Sequence, residues 1–167
     1  MLLPGASEFH NQLQSSWDAL GEGGPTLAAL AALCARSFLD TPAEKQDDAA
    51  TRDSLSPESR AILFAAKDRG VIEVRGVRTA FEAPARLLAI YVELDEHRTI
   101  AFRNSDKPEV TVRFLDGFAA LCREGLILHH LHRDFSLSKK GFAVASQISR
   151  EEVAEAIGEA TEFGLHD

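Results

Sequence analysis

The chain has 167 residues, 45% of them hydrophobic and 26% charged, and a net charge of −8. That composition can build one folded core and excludes a wholly disordered, collagen-like or low-complexity protein. No run approaches the ~18 consecutive apolar residues of a transmembrane helix. Met1-Leu2-Leu3-Pro4-Gly5 also lacks the basic region and apolar core of a secretory signal.

Charge is uneven along the chain. Residues 1–60 hold nine acidic against four basic side chains, and residues 149–167 hold six against one. Acidic flanks disfavour long-range attraction to an anionic membrane or a polyanion, so no membrane partner is expected. Cys34 and Cys122 each sit in an apolar helical pattern, where a thiol is a small hydrophobe. No disulfide framework is expected, and the expected compartment is the cytoplasm.

Ser7 to Leu20 reads as a helix, because Phe9, Leu13, Trp17 and Leu20 recur at helical spacing, and Gly21-Glu22-Gly23-Gly24-Pro25 ends it. Thr26 to Phe38 reads as a second helix with the stripe Leu27, Leu30, Leu33 and Cys34. Thr41-Pro42-Ala43-Glu44 has a capping-box pattern. Lys45 to Leu55 is polar and acidic, either a short exposed helix or a linker. Ser56 before Pro57 predicts a firm helix start, with Ile62, Leu63, Ala65 and Ala66 on the apolar side and Gly70 at the end. Val71-Ile72-Glu73-Val74-Arg75 is a strand closed by Gly76.

Leu87 to Leu94 and Thr99 to Phe102 read as a β-hairpin around Asp95-Glu96-His97. A helix over 84–96 fits Leu87, Ile90, Tyr91 and Leu94 as well. Asp106 is expected to cap a helix near Pro108, with Leu115, Phe118, Ala119 and Cys122 on its apolar face and Gly125 at its end. Leu126 to His132 is a strand, Arg133-Asp134 a turn, and Phe135-Ser136-Leu137 the return strand. Ser138 opens a further helix. Ser149-Arg150-Glu151-Glu152 is a capping box for the last helix, over 149–161, with Val153, Ala156, Ile157 and Ala160 on one side. The expected class is α+β, mainly helical, with two short hairpins or one small mixed sheet.

The segment Leu121-Cys122-Arg123-Glu124-Gly125-Leu126-Ile127, a short hairpin, and Leu137-Ser138-Lys139-Lys140-Gly141-Phe142-Ala143 resembles the second half of a winged-helix domain. The shared pattern is a helix ending in Gly-Leu-Ile, a β-wing, and Leu-Ser-x-x-Gly leading into the next helix. It covers residues 115–145. In this pattern Gly125 ends a helix, Ser138 caps the following one and Phe142 returns to the core. The resemblance implies a winged-helix-like core, and such regulators often dimerise through helices outside the wing. It also implies two helices immediately upstream of 108–124, where Leu87 to Phe102 reads as extended. That hairpin is either an insertion or the mark of a different α+β fold.

As a recognition helix, 108–124 would expose Arg113, Asp116, Gly117, Ala120, Arg123 and Glu124, two acids against two bases, with no Asn or Gln to read adenine. Basic character gathers around the hairpin instead, where His129, His130, His132, Arg133, Lys139 and Lys140 surround only Asp134. Any nucleic-acid contact would therefore use Arg113, His130, His132, Arg133, Lys139 and Lys140. His130 and His132 would share one strand face, yet two histidines fall short of a zinc ligand set, so no metal or other cofactor is expected. Cys122 reads as an inert core thiol, and Glu93, Asp95 and Glu96 as a solvated turn.

These readings divide the chain into an N-terminal helical extension (1–55), a winged-helix-like α+β core (56–148) and an acidic C-terminal helix (149–167). The expected function is a non-enzymatic interaction module whose partner is another protein or a second copy of itself. The alternatives are a DNA-binding transcriptional regulator using the 126–140 wing, and a small enzyme. A homodimer is expected to use Phe9, Leu13, Trp17, Leu30, Leu33, Val153, Ile157 and Phe163, because an amphipathic helix pair must bury its apolar faces somewhere.

Overall fold

The structure, a computed structural model, describes residues 24–39, 47–76 and 88–164. In chain order they form α1 (Gly24–Leu39), α2 (Asp48–Ser54), α3 (Pro57–Ala66), β1 (Val71–Gly76), β2 (Leu88–Glu93) and β3 (Arg98–Phe102). They continue as α4 (Pro108–Arg123), β4 (Ile127–Leu131), β5 (Asp134–Leu137), α5 (Lys139–Ala145), α6 (Arg150–Gly158) and β6 (Thr161–Gly164). The class is α+β. All six strands join one antiparallel sheet in the order β4-β5-β1-β2-β3-β6, rather than two hairpins or a mixed sheet. The helix read at 7–20 and the capping-box pattern at 41–44 lie outside the described residues.

The predicted start of α3 forms as expected. The Ser56 hydroxyl accepts the Ser59 amide at 3.1 Å, with Pro57 in the first turn. Burial of Ser59, Ala61, Ile62, Leu63, Ala65 and Ala66 leaves α3 with little outer surface, because α4, α5, α6 and β2 all pack on it. Gly70 then reverses the chain at φ +71°, a conformation glycine adopts without steric cost. The Phe142 ring lies directly against it, leaving no room for a Cβ.

Ile72 and Val74 of β1 pair with Val92 and Ile90 of β2, which in turn pair with Ile100 and Phe102 of β3. All six face the core. This alternation of period two decides between strand and helix for 88–93: Leu88, Ile90 and Val92 share one sheet face. The β2–β3 turn is organised by Asp95, whose carboxylate accepts the amides of His97 at 2.8 Å and Arg98 at 3.0 Å. These bonds and the adjacent Arg98 guanidinium hold the Asp95 carboxyl below its ordinary range.

Helix α4 differs from the sequence reading in its face and its start. Its buried side chains are Val110, Thr111, Phe114, Phe118, Leu121 and Cys122, while Leu115 and Ala119 lie half-buried on the flank. The stripe centres on Phe114, Phe118 and Leu121 because α3 and the sheet enclose that side. Asp106 does not cap the helix. Asn104 organises the approach instead, its side-chain oxygen accepting the amides of Asp106 and Lys107 at 3.0 and 2.9 Å. Gly117 is buried rather than exposed, because α3 crosses there.

Ser138 caps α5 by accepting the Gly141 amide at 3.0 Å, while its own hydroxyl donates to the Gly125 carbonyl at 2.7 Å. Phe142 does not return to the core. It is 42% exposed and covers Gly70, and Val144 and Ala145 supply the core contacts of α5. The capping box of α6 forms between Ser149 and Glu152. That helix stops at Gly158, and Thr161–Gly164 adds an edge strand beside β3, so Phe163 lies on a strand opposite Thr99 and not on a helix. Helix α1 packs on α4 and β4, placing Leu27, Leu30 and Cys34 in the same core as Ile62, Phe118 and Val153.

Candidate functional site

An open groove of about 390 Å³ runs along the outer side of α4, beside the α2–α3 connection. Leu55, Gly117 and Ala120 are among its apolar lining, and Glu58, Asp116, Glu124 and Arg113 stand among them. Leu55 is buried among the core residues beneath it. The groove owes its depth to the α3–α4 crossing: Gly117 presents no side chain, and the Ser59 hydroxyl donates to its carbonyl at 2.7 Å.

Arg113 was the one candidate nucleic-acid contact on α4. Its guanidinium donates to Glu58 at 2.9 Å and to Glu159 at 3.0 Å, joining α3, α4 and the end of α6. A cation held by two carboxylates contributes little net attraction to a phosphate. The groove lining itself carries three carboxylates, Glu58, Asp116 and Glu124, against the single guanidinium of Arg113, while Arg123 is exposed elsewhere on α4.

The hairpin disperses the histidines that the sequence places together. His132 is in the turn, at φ +49°, beyond the end of β4, so it does not share a strand face with His130. The His129 ring packs at a tilt against Phe135, centroids 4.9 Å apart, and its Nε2 meets the His132 carbonyl at 2.8 Å. His130 Nε2 meets the Ser136 hydroxyl at 2.7 Å. The Arg133 carbonyl accepts the Val74 amide at 3.0 Å, tying the hairpin to β1. Lys139 and Lys140 stand on the first turn of α5 rather than on the hairpin. Among the described residues, no group of three or more His, Cys, Asp or Glu side chains could hold a metal ion.

Of the residues expected at a dimer interface, Leu30 (3% exposed) and Val153 (0%) are buried inside this chain and have no surface left for a partner. Leu33 and Ile157 are half-buried against the same core. Phe9, Leu13 and Trp17 lie outside the described residues. Among the described residues, no helix is long and apolar enough to cross a membrane.

Glu93 pairs with Arg69 at 2.8 Å, and the Asp95 carboxylate accepts the amides of its own turn. Sequence reasoning missed two features here. One is the groove, whose clearest signal was Gly117 within an otherwise helix-forming segment. The other is the meeting of Cys34 with Cys122, for which local sequence carries no signal. Comparison with family models, curated proteins and solved structures found no match.

Proposed function

We propose that this chain is a non-enzymatic, cytoplasmic protein-binding module of winged-helix-like organisation, using the α4 groove as its binding face. The observation that carries the reading is the pairing of that groove with an Arg113 held by two carboxylates. The helix side that would read bases offers an apolar floor with acidic side chains, which suits a protein segment bearing basic side chains. The winged-helix comparison is supported by α4 running directly into the β4–β5 hairpin, with β5 paired to β1. The β2–β3 hairpin, immediately upstream of α4, stands where that family would place helices.

A second reading, DNA binding through the hairpin, draws on His130 and Arg133 toward its turn and on Lys139 where the chain leaves its base for α5. Affinity capture from the native host, with and without nuclease, separates the two. The protein-binding reading expects nuclease-resistant partners that are lost on Ala120→Arg, a change that fills the groove from an outward helix position. Nuclease-sensitive capture that survives Ala120→Arg and fails on Arg133→Glu would establish the second reading instead.

A further inference from the structure

The chain contains two cysteines, distant in sequence, and the fold brings them together. Cys34 on α1 and Cys122 on α4 are 4% and 0% exposed, lie in one buried cluster, and are near enough that Cys34 helps to raise the Cys122 pKa. The backbone geometry around them agrees. Ser37 stands three residues after Cys34, on the same face of α1. Its hydroxyl lies 2.8 Å from the carbonyl oxygens of both Cys122 and Arg123. The last turn of α1 is therefore seated on the last turn of α4, beside the segment that carries Cys122. Close backbones with facing side chains are what a disulfide requires.

We infer that Cys34 and Cys122 form a site for an intramolecular disulfide that staples α1 onto α4. The oxidant is a low-molecular-weight disulfide of the glutathione class. One cysteine thiolate attacks a sulfur of that disulfide and expels a small thiolate, leaving a mixed disulfide on the protein. The second cysteine thiolate attacks the protein sulfur of the mixed disulfide and expels the other small thiolate. One S–S bond breaks and one forms. The protein is oxidised, the small disulfide is reduced to two thiols, and the two protons released by the cysteines are taken up by the expelled thiolates.

The same burial controls the rate. Exclusion from water, followed by the contact with Cys34, pushes the Cys122 thiol well above its ordinary range. Exchange in the closed state is therefore slow and proceeds through openings in which α1 lifts from α4. Once the bond is made, α1 can no longer leave the body.

An equilibrium measurement tests this without depending on that rate. The full chain is brought to equilibrium with reduced and oxidised glutathione, starting from both the dithiol and the disulfide form. This is done in native buffer and again in strong denaturant. A bond that fits the fold is favoured by folding to the extent that it stabilises the fold, roughly 30- to 1,000-fold for an ordinary protein disulfide. The expected result is an exchange constant at least about tenfold larger in native buffer, with peptide mapping recovering Cys34 joined to Cys122. A smaller ratio, or mixed disulfides or intermolecular dimers as the main native product, overturns the inference.

Discussion

The hydroxyl of Ser59 in α3 donates to the carbonyl of Gly117 in α4 at 2.7 Å, inside the protein and 58 residues away in sequence. This bond ties the two helices together where Gly117 leaves no side chain between them, on the inner wall of the groove. A Cβ at Gly117 would meet the Ser59 amide nitrogen at 3.1 Å and the Glu58 Cβ at 3.1 Å. Gly117→Val should therefore push the helices apart and lose about 1–3 kcal/mol, the range for overpacking a filled interior. Ser59→Ala should lose about 1 kcal/mol, the net worth of one hydrogen bond. Urea unfolding measures both, and an unchanged midpoint for Gly117→Val would show that the crossing is loose.

Phe118 stands at the centre of the core, fully buried, with its ring edge-on to Phe135 at 5.2 Å. Phe118→Ala should cost about 3–5 kcal/mol, the range for deleting a buried aromatic side chain. A loss under about 1 kcal/mol would contradict its assignment to the core.

Two glycines should respond in opposite directions to alanine. A Cβ at Gly141 would overlap the carbonyl oxygen of Leu126, which already accepts the Ser138 amide at 2.9 Å. Gly141→Ala should thus destabilise by about 1–3 kcal/mol, because backbone has to move. Gly158, at the end of α6, has nothing within 4 Å of an added Cβ. Gly158→Ala should stabilise by about 0.4–1 kcal/mol by reducing the freedom of the unfolded chain. Thermal melts of the two variants check the pair, and equal shifts would refute the contact geometry.

The Glu152 carboxyl is held below its ordinary value of 4.5, first by the Ser149 amide of the capping box and then, after an opposing effect of desolvation, by the Ser149 side chain, Arg52 and Arg60. A carboxylate with a lowered folded-state pKa contributes stability at pH values above the unfolded pKa. That contribution is lost as the pH falls through the folded-state value. Acidification from pH 4.5 downward should therefore destabilise the wild type more steeply than Glu152→Gln. Parallel stability curves for the two proteins over this interval would show that the capping box carries no linked proton.

Local signals were legible wherever a short segment decides its own structure. Ser56-Pro57, Ser138 and Ser149-Glu152 cap helices in the structure because each needs only its own next few residues. Leu115 and Phe142 were misread because periodicity gives a face but not its centre. Which residues of that face are covered depends on partners distant in sequence, α3 and the sheet for α4, and Gly70 for Phe142. Asn104 replaced Asp106 at the start of α4 because both are plausible turn acceptors, and tertiary placement chose between them. The joining of all strands into one sheet, the engagement of Arg113 by Glu58 and Glu159, and the meeting of Cys34 with Cys122 are long-range outcomes. Spacing within any one segment could not report them.

The central claim is that the α4 groove receives protein. Site-specific photo-crosslinking in the native host tests it most directly, with the photoreactive residue at Ala120 in the groove and, separately, at Lys139 on α5. The account predicts a discrete adduct to another protein from position 120 that survives nuclease, and no such adduct from position 139. Crosslinking from position 139 alone, to nucleic acid and abolished by nuclease, would contradict it.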